Sequence, residues 1–431
     1  MLSSDAEERD CLGQDRGVYN VPSFGSLSYG GVAGFTAIFE QIAINDNLGH
    51  PFCDNLRQGF WAFDYLCERL FLYSNNKLEL KSCALKISDI VNTARSTPTS
   101  LRPLIFGRII FGIYRACLNF IYRQWGQEVS DCSLMRLLAL CSVELIGEVP
   151  STSLHPIRNG YSFAAGLPHF ATHHMRSWGR DVFISLPGML IRTGRLDEAR
   201  ELIIAFASTV RHGLIPNLLD SGRKPRYNAR DACWWFIRAV KDYCEHSSEG
   251  LAFLSTAIPL RFPKNVYVDW NDPSVYKTVK SLADILFDIL DHHANGTTFW
   301  EWNAGPQLDD LMQHEGFNIH YGVDFRTGFI HGGNPYNCGT WMDKMGNSYK
   351  AGNRGVPSTP RDGSAIEIIA LSKLAVDWFH DIHLTGFFPH DGVFNVKESR
   401  HYSWHSWSTL INYNFERIFW INNGSSPPTI I

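Results

Sequence analysis

Arg226-Tyr227-Asn228-Ala229-Arg230-Asp231-Ala232-Cys233-Trp234-Trp235 is the stretch that decides the fold. Its first half is polar and rich in arginine. Its second half opens an apolar run, Ala232 to Cys244, with helical spacing. Trp178-Gly179-Arg180-Asp181 has the same form, and so does Arg361-Asp362 ahead of Gly363-Ser364-Ala365-Ile366-Glu367. Three times an arginine–aspartate pair stands where a loop becomes a helix. The dipeptide alone says little, because Arg9-Asp10 lies in a polar stretch with no such setting.

Outward from these words the dominant periodicity is helical. Leu190, Ile191, Leu196, Ala199, Leu202, Ile203, Phe206 and Val210 keep one apolar stripe, which Gly194-Arg195 splits into two helices, the second from about Asp197. Similar spacing predicts helices over Val275–Leu290, Ala365–Phe379 and Trp404–Phe419. In the first third it predicts Gly31–Ile42, Gly59–Leu72, Leu104–Tyr122 and Leu134–Ile146. Strand-like alternation is confined to pieces such as Val266-Tyr267-Val268 and Gly328-Phe329-Ile330. Long polar loops at 214–228, 301–346 and 352–363 separate the helices, and loops of that length are uncommon unless they build a site. The rhythm predicts an all-α fold, an α/α toroid whose long loops gather at one mouth. Residues 1–29 read as a polar tail or linker, and 30–431 as the toroid.

Composition narrows the function. A 45% hydrophobic content supports a large core, and a net charge of -4 gives no electrostatic case for nucleic acid. The N-terminus lacks the basic and apolar regions of a signal peptide, and Arg108 and Arg115 interrupt Leu104–Tyr122, which reads as a buried or amphipathic helix and not a membrane span. The ten cysteines have no C-x-x-C pair and no zinc spacing, so they read as reduced, mostly buried thiols of a cytoplasmic protein. Asn295-Gly296-Thr297 and Asn423-Gly424-Ser425 match the glycosylation pattern but are read as unused for want of a secretory signal.

Aromatic content of 13% leaves rings for ligand contact, and sugars present apolar C–H faces alongside hydroxyls that need directional partners. Asp231 is the leading acid, either a helix-capping aspartate followed by core tryptophans or a proton donor. A helix N-terminus and nearby arginines lower an aspartate's pKa, so a donor here needs desolvation or a neighbouring carboxylate to offset them. Asp181, Asp343 and Asp362 are companion carboxylates, suited to clamping hydroxyls or to ion pairing with Arg180 or Arg361. Glu367 faces the core side of its helix. Gly332 to Thr340 is turn-rich and brings backbone close to something. His173-His174 and His292-His293 lack the spacing of a helical zinc site, so no metal or other cofactor is expected.

Several words, in order, closely resemble the glucosidase part of eukaryotic glycogen debranching enzymes. They are Asn47–Cys53, Gly166–Phe170, Trp178–Asp181, His212–Leu218, Arg226–Trp235, Asn303–Gln307, Asn337–Gly346 and Thr359–Ala365. The resemblance runs from about residue 27 to near 420. It implies an (α/α)6 toroid of the six-hairpin glycosidase type that removes the α-1,6-linked glucose of a trimmed glycogen branch by inversion, without metal. It aligns the general acid with Asp231. It implies stacking walls from Trp178, Trp234, Trp235 and Trp341, with hydroxyl partners from Arg180, Asp181, Asn217, Asn228, Asp343 and Asp362. Arg226, Tyr227, Arg230, Asn334, Asn337 and Arg361 complete the implied glucose pocket. The family also carries a glucanotransferase region upstream and a general base downstream in a Gly-Pro-Glu-Trp setting. Neither word set occurs between Met1 and Ile431, so the expectation is a toroid incomplete at its C-terminal end, with glycogen or a branched α-glucan as partner and neither nucleic acid nor membrane. Any in-chain base would then be a residue such as Glu301 or Glu367.

Overall fold

The structure, a computed structural model, describes residues 18–28, 31–74, 78–124, 131–148, 154, 160–166, 170, 176–301 and 311–421. Residues 1–17 of the expected tail, Leu167–His169, His173-His174, Asn303–Gln307 and Asn423 to Ile431 lie outside the described residues. The chain parts into two compact units between Leu138 and Ala139.

The first unit opens with a hairpin, β1 (Val18–Val21) against β2 (Gly25–Ser28), inside the stretch read as a tail. Helices α1 (Gly31–Ile44), α2 (Asp54–Gln58), α3 (Trp61–Ser74), α4 (Leu78–Ala94) and α5 (Arg102–Gln124) follow. Ile38, Phe39, Phe63, Ile87 and Val91 form their core. Phe106, Ile109 and Ile113 apply one face of α5 to it, with Phe106 edge-on to Phe63 at 4.8 Å. Arg108 and Arg115 are exposed, so α5 is amphipathic and not buried. By length and composition alone Thr99–Arg123 is long and apolar enough to cross a membrane. Helix α6 (Ser133–Leu145) runs across the division.

The second unit is mostly helical, with small antiparallel sheets between the helices. Hairpin β3–β4 (Ile146–Glu148, Tyr161–Phe163) precedes α7 (Gly179–Leu186), which continues as a π-turn over Pro187–Ile191, and α8 (Leu196–Ser208). Then come α9 (Ala232–His246), β5 (Ala257–Pro259) paired with β6 (Val279–Ser281), and α10 (Leu282–Asn295). A three-stranded sheet, β7–β8–β9 (Thr297–Trp300, Asn318–Asp324, Phe329–Gly332), follows; β9 is where Gly328-Phe329-Ile330 read as strand-like, whereas β8 lies in what reads as loop. Helix α11 (Ile366–Leu384), hairpin β10–β11 (Gly392–Asn395, Arg400–Ser403) and α12 (Trp404–Phe419) end the described unit. All-α therefore holds for the helices but misses these sheets, and Val266–Val268 is not a strand.

Helix α9 is the hub. Nine of its residues, from Ala232 to Cys244, are buried, and it packs against α7, α8 and α11. Gly179 starts α7 where a Cβ would lie 2.3 Å from the Pro216 carbonyl, so only glycine lets the helix sit that close to the 214–228 loop. Trp404 and Trp407 are fully buried, each with its indole N–H donated to a carbonyl, His390 O and Gly328 O respectively. The cysteines differ from the expectation: no disulfide joins the nine described, but only Cys53, Cys233 and Cys244 are buried.

Candidate active site

Backbone hydrogen bonds lace the predicted words together. Gly179 N donates to Asn217 O (2.8 Å), Asn217 N to Arg226 O (2.7 Å), Leu219 N to Ser177 O (3.0 Å) and Arg230 N to Gly339 O (2.7 Å). Gly332 and Gly363 exchange both of theirs, at 3.1 and 2.8 Å. The loops before α7, α9 and α11 thus share one meshwork.

Asp231 stands at the N-cap of α9, yet its carboxyl makes no cap bond. Oδ2 accepts from Arg180 Nε at 2.7 Å, and Oδ1 is buried with no hydrogen-bond partner. Arg180 Nη1 donates to Asp343 Oδ2 at 3.0 Å, and Asp343 Oδ1 accepts from Lys344 Nζ at 2.9 Å. Asp231 is fully buried but close to the other acids through this guanidinium. Burial disfavours the Arg180 charge; Asp231, then Asp343 and Asp181, outweigh it and hold its pKa above the ordinary arginine value. Desolvation chiefly raises the Asp181 pKa, against the pull of Arg180.

Arg230 does different work. Its Nη2 donates to Arg361 O (2.7 Å) and its Nη1 to Gly363 O (3.2 Å). Cβ atoms at Gly333 and Gly339 would come within 3.0 and 2.9 Å of its guanidinium, so the turn-rich 332–340 stretch is glycine-rich in order to close on Arg230. Burial lowers the Arg230 pKa to about 10. Arg361, in the left-handed region at φ 52°, turns its carbonyl to Arg230 while its guanidinium pairs with Glu367 Oε2. Asp362 is exposed.

Other residues depart from their expected roles. Trp234 is fully buried and packs edge-on to His293 at 4.8 Å, so it is a core ring and not a stacking wall. Tyr227 is likewise fully buried, its hydroxyl donated to Thr209 O and its amide to Glu301 Oε2 at 3.1 Å, and burial raises its pKa. Asn334 and Asn337 spend their side-chain amides on the carbonyls of Glu315, Gly316 and Asn318, fixing their own loop. Glu301 accepts from Arg211 Nη2 at 3.0 Å as well as from Tyr227, a structural anchor and not a poised base. Trp341 is 56% exposed. Trp178 is half-buried, edge-on to Phe170 at 5.9 Å, and Trp235 is half-buried under the Arg238 guanidinium. Arg226 is buried, and its backbone pairs with Asn217 and Leu218.

Buried polar atoms without a partner gather here: Asp231 Oδ1, Arg180 Nη2, Arg230 Nε, Asn217 Oδ1, Asn228 Oδ1 and Trp235 Nε1. Such groups are rare in folded proteins and each is costly to leave unsatisfied, so their gathering at these loops singles the region out as the candidate site. Glu367 Oε1, read from the sequence as a possible base, shares the condition, and so do Ser177 Oγ and Thr340 Oγ1, which are not among the predicted site residues. His320, which lines the crevice with Asn228, Arg230 and Asn337, was also missed. Ser177 and Thr340 each directly precede a predicted tryptophan, the one signal that could have found them; His320 sits on an unforeseen strand.

Residues 140–426, well over half the chain, match the family model described as amylo-alpha-1,6-glucosidase. Residues 1–70 match that of the central domain of human glycogen debranching enzyme. The glycogen debranching enzyme of Saccharomyces cerevisiae is 42% identical over 430 residues, 98% of this chain and 27% of the yeast protein, so the chain spans about a quarter of that relative's length. The chain belongs to the amylo-α-1,6-glucosidase family.

Proposed function

We propose that this chain carries the glucosidase function of glycogen debranching: hydrolysis of α-1,6-linked glucose at branch points, with inversion, by helices belonging to an (α/α)6 toroid. The carrying observation is Asp231, whose Oδ2 is fixed by Arg180 while Oδ1 is buried and unpartnered. A proton on Oδ1 would be given to the departing glycosidic oxygen. Asn217, Asn228 and the free guanidinium nitrogens would take sugar hydroxyls, and Trp178, Trp235 and Trp341 offer faces for the ring. The toroid reading is supported by alternation: the three arginine–aspartate words precede α7, α9 and α11, and α9 touches both of its fellows.

Inversion requires a second carboxylate about 6.5–9.5 Å from the acid, with water between. In an active protein carrying this chain, Asp231→Asn should lower glucose release from a glucan trimmed to single α-1,6 stubs by about a hundredfold or more. Near-normal release refutes the assignment. Glucan binding without release by the 431-residue chain favours a binding role for it.

A further inference from the structure

A second cavity of about 220 Å³ lies in the same unit, and none of the candidate active-site residues lines it. Its walls include Arg261, Ser221, Trp270, Asp272, Val275 and Tyr276. Arg261 is 1% exposed. It donates from Nε to Gly222 O (2.9 Å) and from Nη2 to Val268 O (2.8 Å), and its Nη1 is buried with no partner. Arg180 and Arg211 are buried to a similar degree, and each holds a carboxylate. Arg261 has none within ion-pair distance among the described residues; carbonyls and the Phe262 ring at 4.5 Å contact it, and Tyr276, Tyr267, Tyr227, Asp269 and Asp272 act on it only from further off. Taking a cation out of water without an anion in contact is unfavourable, and burial lowers the Arg261 pKa in spite of these distant groups.

The rest of the lining differs in kind. Trp270 and Asp272 are half-buried, which places an indole and a carboxylate nearer solvent than Arg261. Arg223 covers one side of that indole at 4.9 Å. Asp272 already accepts from Ser274, so it stays fixed at the wall. Asp220, Ser221 and Tyr276 hold left-handed backbones at φ 43°, 54° and 62°, a concentration of strain that persists only where surrounding structure maintains it.

We propose that this cavity binds a hexose phosphate. The phosphoryl group meets Nη1 of Arg261, the one guanidinium nitrogen left without a partner, in a charge-assisted hydrogen bond. The pyranose lies against Trp270 and Tyr276, and its hydroxyls donate to Asp272. The carboxylate is what separates this ligand from a bare anion, which it would repel, and the buried guanidinium is what separates it from an uncharged sugar. A volume near 220 Å³ is the room of about seven waters at roughly 30 Å³ each, suited to one phosphorylated ring and too small for a glucan chain.

The test is calorimetric titration of the 431-residue chain with glucose 6-phosphate, glucose and inorganic phosphate at fixed ionic strength. The hexose phosphate should bind at least about tenfold more tightly than either fragment. Trp270→Ala, at a half-buried position, should weaken it by about tenfold. Asp231→Asn should leave it unchanged, which separates this site from the candidate active site. The proposal falls if the hexose phosphate has no advantage over both fragments, if Trp270→Ala binds it as wild type does, or if Asp231→Asn abolishes its binding.

Discussion

Removing the Arg180 guanidinium tests the organisation of the candidate site most directly. In Arg180→Met the stem is kept and the charge lost, leaving Asp231 as a fully buried carboxylate with neither oxygen paired. The side chains are 7% and 0% exposed, so solvent gives almost no relief, and breaking a buried pair on one side costs about 3–5 kcal/mol. Asp343 loses a partner too, but it is 25% exposed and keeps Lys344, so its share is below about 1 kcal/mol. The expected loss is therefore set by Asp231. Urea unfolding followed by tryptophan fluorescence reads it as a shift in midpoint at constant slope. The double variant Arg180→Met/Asp231→Leu should recover most of the loss, because an apolar pair of similar volume does not pay for desolvation. A single-variant cost under about 1 kcal/mol, or a double variant no better than the single, would refute the reasoning.

Trp234→Ala should cost about 3–5 kcal/mol in the same unfolding assay, as expected of a core ring; an unchanged midpoint with weakened glucan binding would restore it as a stacking wall. Desolvation holds His293 down at about 3, whereas unfolded it titrates near 6.5, so the unfolded chain binds the extra proton between those values. Its contribution is complete above about pH 6.5 and declines by up to about 1.4 kcal/mol per pH unit as pH falls toward 3; His293→Phe should flatten that acid limb, and an identical slope would count against the assignment.

The helices that were legible are those with long, one-sided apolar stripes. Trp404–Phe419 and the α9 run are found where the spacing puts them. Helix α4 is not legible because exposed apolar residues, Leu78, Leu85 and Ile90, blur the spacing of its buried stripe, Ala84, Ile87, Val91 and Ala94. For helix α10 the apolar spacing gives too early a start, Val275: Tyr276 is left-handed, and the N-cap is Ser281, whose hydroxyl accepts from Asp284 N at 3.1 Å. That cap was readable. The glycine-rich stretch around strand β8 masks it in the sequence, though its buried Ile319 and Tyr321 alternate as a half-buried strand requires. At the site, residue types pointed to sugar chemistry, but type could not show which aromatic faces the crevice. Trp234 and Trp235 are adjacent, and the turn of one helix sends the first wholly into the core.

The pairing of the arginine–aspartate words was also hidden, for a geometric reason. Neighbouring side chains at a helix start point in different directions, so an arginine cannot readily hold the aspartate that follows it. The pairs therefore form crosswise. Arg180 of the first word binds Asp231 of the second; Arg230 of the second binds the carbonyls of Arg361 and Gly363 in the third; Arg361 binds Glu367 in the helix beyond. Each word supplies a donor to the next, and no loop can shift without breaking a buried contact of another. A proton donor gains from such bracing, because its position is fixed before the substrate arrives and no reorganisation is needed at the moment of transfer. Asp343 is the loosest member, partly exposed and shared with Lys344. Under the proposed function the 341–346 loop would therefore be the one to give way, losing only the part-exposed Arg180–Asp343 pair while Asp231 stays held by Arg180.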